Sequence, residues 1–411
     1  MIRASFGADH ALASRAAERA ARESYGRLVA LLAARSRDVA AAEDALAEGF
    51  RLALETWPAR GIPARPEAWL LTAARRVLGH RARHAQVRGA AATALAQLAE
   101  EAQGDPAGAT PDRRLNLLFV CAHPAIDPAI QAPLMLQAVL GLDAARIAAS
   151  FLVPPAAMAQ RLVRAKAKIR DAGIAFALPE PADLPPRLDG VLRAIYAAYG
   201  TGWDEAFAAD SRHVGLAEEA VWLARLVVAQ LPAAAEAKGL LALMLHCEAR
   251  RPARRDESGG FVPLARQDTA LWSRPMMAEA EALLREAARA ATPGRLQLEA
   301  AIQSVHAQRA ATGHTDWQAI VALYGLLAQL SPTMGVQVAR AAALAEAGDP
   351  AASLALLDAL AAADYQPWWA CRARALSLLG RRAEAQAAFR HAGGLSTDPA
   401  VRAWLLAQSG P

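Results

Sequence analysis

Aromatic residues are scarce in this chain: phenylalanine, tryptophan and tyrosine together make up 5% of its 411 residues. Aromatics favour strands, whereas alanine, which supplies much of the 55% hydrophobic content, is the strongest helix former, so the imbalance excludes a β-rich fold and predicts an all-α one. Cysteine is almost missing. Cys121, Cys247 and Cys371 lie far apart, which rules out a disulfide framework and fits a reducing compartment. Cys121 and His123 have no second pair to complete a metal-ligand pattern, so no metal is expected. No uninterrupted apolar run reaches membrane-spanning length. The opening "MIRASFGADHALASRAAERAARESYG" carries charges throughout and has no apolar signal-peptide core, so the expectation is a cytoplasmic protein without a membrane. A P-loop, a nucleophile elbow, a dinucleotide fingerprint and a zinc-protease motif are also absent. His213, His246 and His306 are isolated, and His246 and its neighbour Cys247 point to different helix faces. The expectation is therefore no enzyme and no cofactor.

The length allows two to four domains. Residues 15–88 carry helical periodicity with short breaks. "YGRLVALLAAR" places Leu28, Leu31 and Leu32 on one face, and "DVAAAEDALAEGFRLALETW" has an apolar stripe through Ala42, Leu46, Phe50 and Leu54. Residues 89–112 are rich in Gly, Pro, Gln and acids and read as a flexible linker. A second helical unit spans 113–176, and the proline-rich "FALPEPADLPPRL" marks its end. Helical patterns then continue over 184–411. Gly348 and Gly380 each separate two amphipathic helices and stand 32 residues apart by their own numbers, with Ala385, Phe389 and Ala392 at tetratricopeptide-like offsets from Gly380. An ordinary helical-hairpin bundle is the alternative for this part. The interruption Arg250–Asp268 reads either as a ligand or phosphate loop near Trp272 or as a loop pinned to the array by Arg–Asp pairs, the second being favoured.

Net charge is only +5, so the placement of the cations decides what they mean. In "PPAAMAQRLVRAKAKIR", Met158, Leu162, Ala165 and Ile169 form one apolar stripe, which leaves Arg161, Arg164, Lys166, Lys168 and Arg170 on other faces. Upstream, "LDAARIAASFLVPP" gives a short helix capped by Asp143 and packed by Ile147 and Ala148. Pro154 and Pro155 end the turn. A short helix, a turn and a longer basic helix form the helix-turn-helix pattern, whose second helix enters the major groove. The plain alternative is a solvated surface helix with an apolar inner face.

"GLDAARIAASFLVPPAAMAQRLVRAKAKIR" resembles region four of bacterial RNA polymerase sigma factors of the extracytoplasmic-function group, and residues 22–85 resemble region two. "DRRLNLLFVCAHPAI", "GLLALMLHCEARRPARRD", "QLEAAIQSVHA" and "TDWQAIVALY" are similar to the subgroup with a long C-terminal extension, so the resemblance covers nearly the whole chain. It implies a factor that binds core RNA polymerase and directs promoter-specific initiation. The acids of "AEDALAEGF", Glu43, Asp44 and Glu48, would be exposed and dock on polymerase. Arg75, Arg76, Arg81 and Arg83 would bind the minus-ten promoter element, and Gln160, Arg161, Arg164, Lys166 and Lys168 would contact promoter DNA through region four. The extension, 184–411, would regulate activity or bind a regulatory protein partner. Arg146, Pro155 and Ala47 depart from the residues usual in these factors. The alternative is a helical scaffold or interaction protein with degenerate DNA-binding modules.

Overall fold

A computed structural model describes residues 2–87, 113–151, 153–180, 182–205, 216–290, 293–360, 362 and 364–410. The expected linker 89–112 and His213 lie outside the described residues. Among the described residues the fold is all-α, with no β-strand and a single isolated bridge between Arg255 and Phe261. Contacts divide the chain into two compact units, Met1–Leu223 and Ala224–Pro411.

The first unit begins with α1 (Ile2–Ser36), α2 (Val39–Arg60) and α3 (Pro66–Val87). Asp38 starts α2: its side chain accepts a hydrogen bond from the Ala41 amide at 3.0 Å, which satisfies one of the helix's open donors. The face that α2 buries consists of Val39, Ala42, Ala45, Leu46, Gly49, Ala53 and Trp57. Leu54, expected in the apolar stripe, is 44% exposed instead. The stripe is rotated because small alanines and Gly49 sit close to α1 and α3, while Trp57 stacks edge-on against Trp69 of α3 with ring centroids 5.6 Å apart.

The chain resumes with α4 (Arg114–Cys121), α5 (Pro128–Leu140), α6 (Ala144–Ser150), α7 (Pro155–Asp171) and α8 (Leu184–Glu205). Contacts of α1 with α4 and α5, and of α2 with α7, make these helices and α1–α3 one body. Gly26 is required for this: a Cβ there would lie 1.8 Å from the carbonyl oxygen of Val139. The first unit also takes in more chain than the boundary at 176–184 suggests. Arg187 of α8 is buried and donates to the Phe119 carbonyl of α4. Arg114 pairs with Glu219 in the first turns of α9 (Leu216–Gln230) and stacks 3.6 Å above the Trp222 ring.

The second unit is a succession of helical hairpins: α10 (Ala235–Ala249), α11 (Arg274–Ala287), α12 (Arg295–Ala307), the short α13 (Arg309–Thr312), α14 (Trp317–Leu330), α15 (Met334–Glu346), α16 (Pro350–Asp358), α17 (Gln366–Leu378), α18 (Arg382–Leu395) and α19 (Pro399–Gln408). Gly348 and Gly380 close α15 and α17 with φ of +98° and +74°, a left-handed conformation that costs other residues free energy. Leu357, Trp368, Phe389 and Leu405 share one core, and Trp368 Nε1 donates to the Leu357 carbonyl at 2.9 Å. Ala385, Phe389 and Ala392 are buried, in keeping with the offsets read from the sequence.

Candidate nucleic-acid interface

Helices α6 and α7 build the basic surface. Asp143 caps α6 by accepting from the Arg146 amide at 2.9 Å, and Ile147 and Ala148 are buried. Val153 then donates to the Ala148 carbonyl at 3.0 Å, and Pro155, at the first position of α7, removes a donor that the helix could not use. The buried residues of α7 are Met158, Leu162, Ala165 and Ile169, the stripe read from the sequence. With that stripe turned inward, the cations divide into two sets.

Arg161, Arg164 and Lys168, at i, i+3 and i+7, are exposed, and Gln160 is exposed beside them. No hydrogen bond or ion pair among the described residues reaches the side chains of these three cations. They line a cavity of about 490 Å³ together with Ile126, Ile130, Ala165 and Asp127. Three cations without an ion-pair partner on one helical face attract phosphate, and guanidinium groups can also grip guanine edges or phosphate oxygens in pairs.

Lys166 points elsewhere. Its Nζ donates to Glu43 Oε2 of α2 at 2.6 Å and to Gln137 Oε1 of α5 at 3.0 Å. Both charged side chains are only 12% exposed. Burial pushes the Glu43 carboxyl above the usual carboxylate range, against the pull of Lys166. The other oxygen of Glu43 is buried without a hydrogen-bond partner. Close to this pair, burial and then the Glu43 charge push the Tyr25 hydroxyl upward, and burial does the same to the Cys121 thiol. Arg170 bonds Asp171 at 2.8 Å and lies 4.0 Å from Asp38.

Two sequence expectations are corrected here. Glu43 is not an exposed carboxylate, and Lys166 is not on the open face of α7; each neutralises the other. Asp44 is exposed, and Glu48 is held by Arg51, which also pairs with Glu55. Arg75 and Arg76 are exposed on α3, whereas the side chains of Arg81 and Arg83 lie outside the described residues. The sequence reading missed Gln137 as a partner of Lys166, and Asp127 beside the three open cations. A signal for the pairing existed. Glu43 stands four residues after Val39 and three before Leu46, and Lys166 stands four after Leu162 and three before Ile169. Both therefore flank buried stripes.

In the second unit the Arg250–Asp268 loop is held by its own arginines and by the array. Arg309 donates to the carbonyls of Leu264, Ala265 and Gln267 at 2.8, 2.9 and 3.0 Å, with its guanidinium 5.0 Å from the Trp272 ring. Arg255 pairs with Asp398, and Asp256 accepts from the Ser258 and Gly260 amides. His306, largely buried, has its pKa lowered to about 4 by burial and by the charges of Arg250 and Arg309. His246 is buried with Nε2 3.4 Å from Glu281 Oε1. Among the described residues no helix is long and apolar enough to cross a membrane.

Residues 187–288, from the start of α8 to the end of α11, match a family of unknown function (DUF6596). No solved structure matches the chain. Over 387 residues the chain is 36% identical to an uncharacterized protein of Rhizobium meliloti (strain 1021), and the match covers 90% of each of the two. With identity of that level running through both compact units, the chain belongs to the same family as this Rhizobium meliloti protein.

Proposed function

We propose that the chain is an initiation factor of the extracytoplasmic-function sigma type, which binds core RNA polymerase and places it on promoter DNA. One observation carries this reading. The second helix of a helix–turn–helix pair keeps Arg161, Arg164 and Lys168 unpaired on one exposed face, although carboxylates are plentiful elsewhere in the unit and do pair with Lys166 and Arg170. A helix whose cations served only solubility would have no reason to keep one face clear and neutralise another. The exposed Arg75 and Arg76 of α3 give the first three helices a separate basic surface for a second promoter element, and the exposed Asp44 gives α2 an acid for polymerase. The hairpin array of the second unit is the part we assign to regulation through a protein partner, in a cytoplasmic setting.

The burial of Glu43 against Lys166 favours the competing reading, a helical scaffold whose two DNA-binding modules have fused into one packed body. Mapping the 5′ ends of RNA made on genomic DNA separates the two. A shared set of start sites that core polymerase alone does not use supports initiation. Start sites identical to those of core polymerase alone support the scaffold.

A further inference from the structure

We infer that the Glu43–Lys166 pair is a latch that closes α2 onto α7 in the free chain and hides part of the acidic face by which α2 meets polymerase. The inference rests on the initiation-factor reading and adds a regulatory state to it. Both charges are taken out of water, 2.6 Å apart, and Gln137 supplies a second acceptor to Lys166. A buried ion pair adds little net stability over an apolar contact, because desolvation offsets most of the attraction, but removing one member leaves an unpaired buried charge and strongly disfavours the closed arrangement. Such a pair selects a state more than it strengthens one.

The pair is also incompletely satisfied. Glu43 Oε1 has no hydrogen-bond partner, and burial already disfavours its charge. The groups around Glu43 do not relieve this: Asp38 and Asp44 share its sign, and the Tyr25 hydroxyl and Cys121 thiol are buried nearby. Opening returns the carboxylate to water or offers it to a cationic partner surface, so this incompletely satisfied contact is the weak point of the junction. The second contact runs the same way, from a cation on α7 to an acid at the start of α2, with Arg170 4.0 Å from Asp38. The opposite face of α7 remains free of pairing, so DNA phosphates can be held by Arg161, Arg164 and Lys168 while the latch is still shut. Opening then frees Lys166 for the same duplex and Glu43 for polymerase.

The test uses the full-length chain, Lys166→Met, and the exchanged pair Glu43→Lys with Lys166→Glu. Amide hydrogen exchange is measured over residues 39–60 and 155–171, and capture on purified core RNA polymerase is measured alongside. Lys166→Met is expected to speed exchange in both helices about tenfold or more and to raise capture about threefold or more, while the exchanged pair returns exchange to within about threefold of the natural chain. Unchanged protection over 114–121, a helix of the same unit, shows that the fold is retained. Unaltered exchange in Lys166→Met overturns the latch. Where the natural chain is captured, faster exchange with capture unchanged or reduced also overturns it, since a purely structural ion pair behaves that way. Absence of capture by the natural chain and every variant removes the initiation-factor reading instead, and hydrogen exchange alone then decides whether the junction opens at this pair.

Discussion

Gly26 of α1 and Val139 of α5 meet backbone to backbone, so close that a methyl group on Gly26 would stand 1.8 Å from the Val139 carbonyl oxygen and 2.9 Å from its carbon. Neither backbone can give way without moving a whole helix. Gly26→Ala is therefore expected to destabilise the first unit by about 1–3 kcal/mol, the usual cost of forcing extra atoms into a packed junction. Urea denaturation followed by circular dichroism reads this directly, and an unchanged midpoint would mean that the two helices can part at that point.

The second prediction concerns the open face of α7. Each phosphate contact contributes about 0.9 to the slope of log affinity against log salt, so Arg161→Ala with Arg164→Ala should flatten that slope by about 2 and weaken binding to all duplexes alike. Fluorescence anisotropy of a labelled promoter fragment over a salt series measures both quantities. A slope equal to that of the natural chain removes these two arginines from the contact surface.

Acid should weaken the second unit through His306. Its pKa falls from 6.5 in the unfolded chain to about 4 in the fold, where burial and the charges of Arg250 and Arg309 oppose protonation. A base with a depressed folded pKa is protonated first in the unfolded state. Its contribution is therefore complete above pH 6.5 and is lost as the pH falls from there towards 4, a loss approaching about 3 kcal/mol. His306→Gln should remove most of that dependence. Thermal melts at pH 7 and pH 5 check it, and equal pH sensitivity in the variant would assign the effect to other groups.

Two glycines of the array should respond in opposite directions. Gly380 has φ of +74°, so Gly380→Ala is expected to cost about 1–2 kcal/mol. Gly394 lies within α18, and a Cβ there meets nothing within 4 Å. Gly394→Ala should therefore be neutral or stabilising by about 0.5–1 kcal/mol. Denaturation of the two variants side by side gives the comparison, and equal effects would contradict it.

Much of the local architecture was legible in the residues because polarity contrast was strong where it mattered. In α7, Met158, Leu162, Ala165 and Ile169 stand among charged neighbours, so the 3.6-residue period is unambiguous and the buried face follows. The Asp143 cap and the glycines at 348 and 380 were visible for a similar reason, since few residue types serve those positions. The stripe of α2 was harder to place. Alanine packs on any face, and the choice between Leu54 and Trp57 as the inner residue depended on α1 and α3, which local periodicity does not describe. The candidate site divides along the same line. The open face of Arg161, Arg164 and Lys168 followed from the helix alone. The partnership of Lys166 with Glu43 spans 123 residues, and only the folded chain brings the two together.

Run-off transcription tests the central claim most directly. Core RNA polymerase, the purified chain and a promoter fragment chosen from mapped start sites should together give a discrete transcript. Core polymerase alone should give none, and Arg161→Ala with Arg164→Ala should greatly reduce it. Stable association with core polymerase without any transcript that depends on the chain would contradict the account.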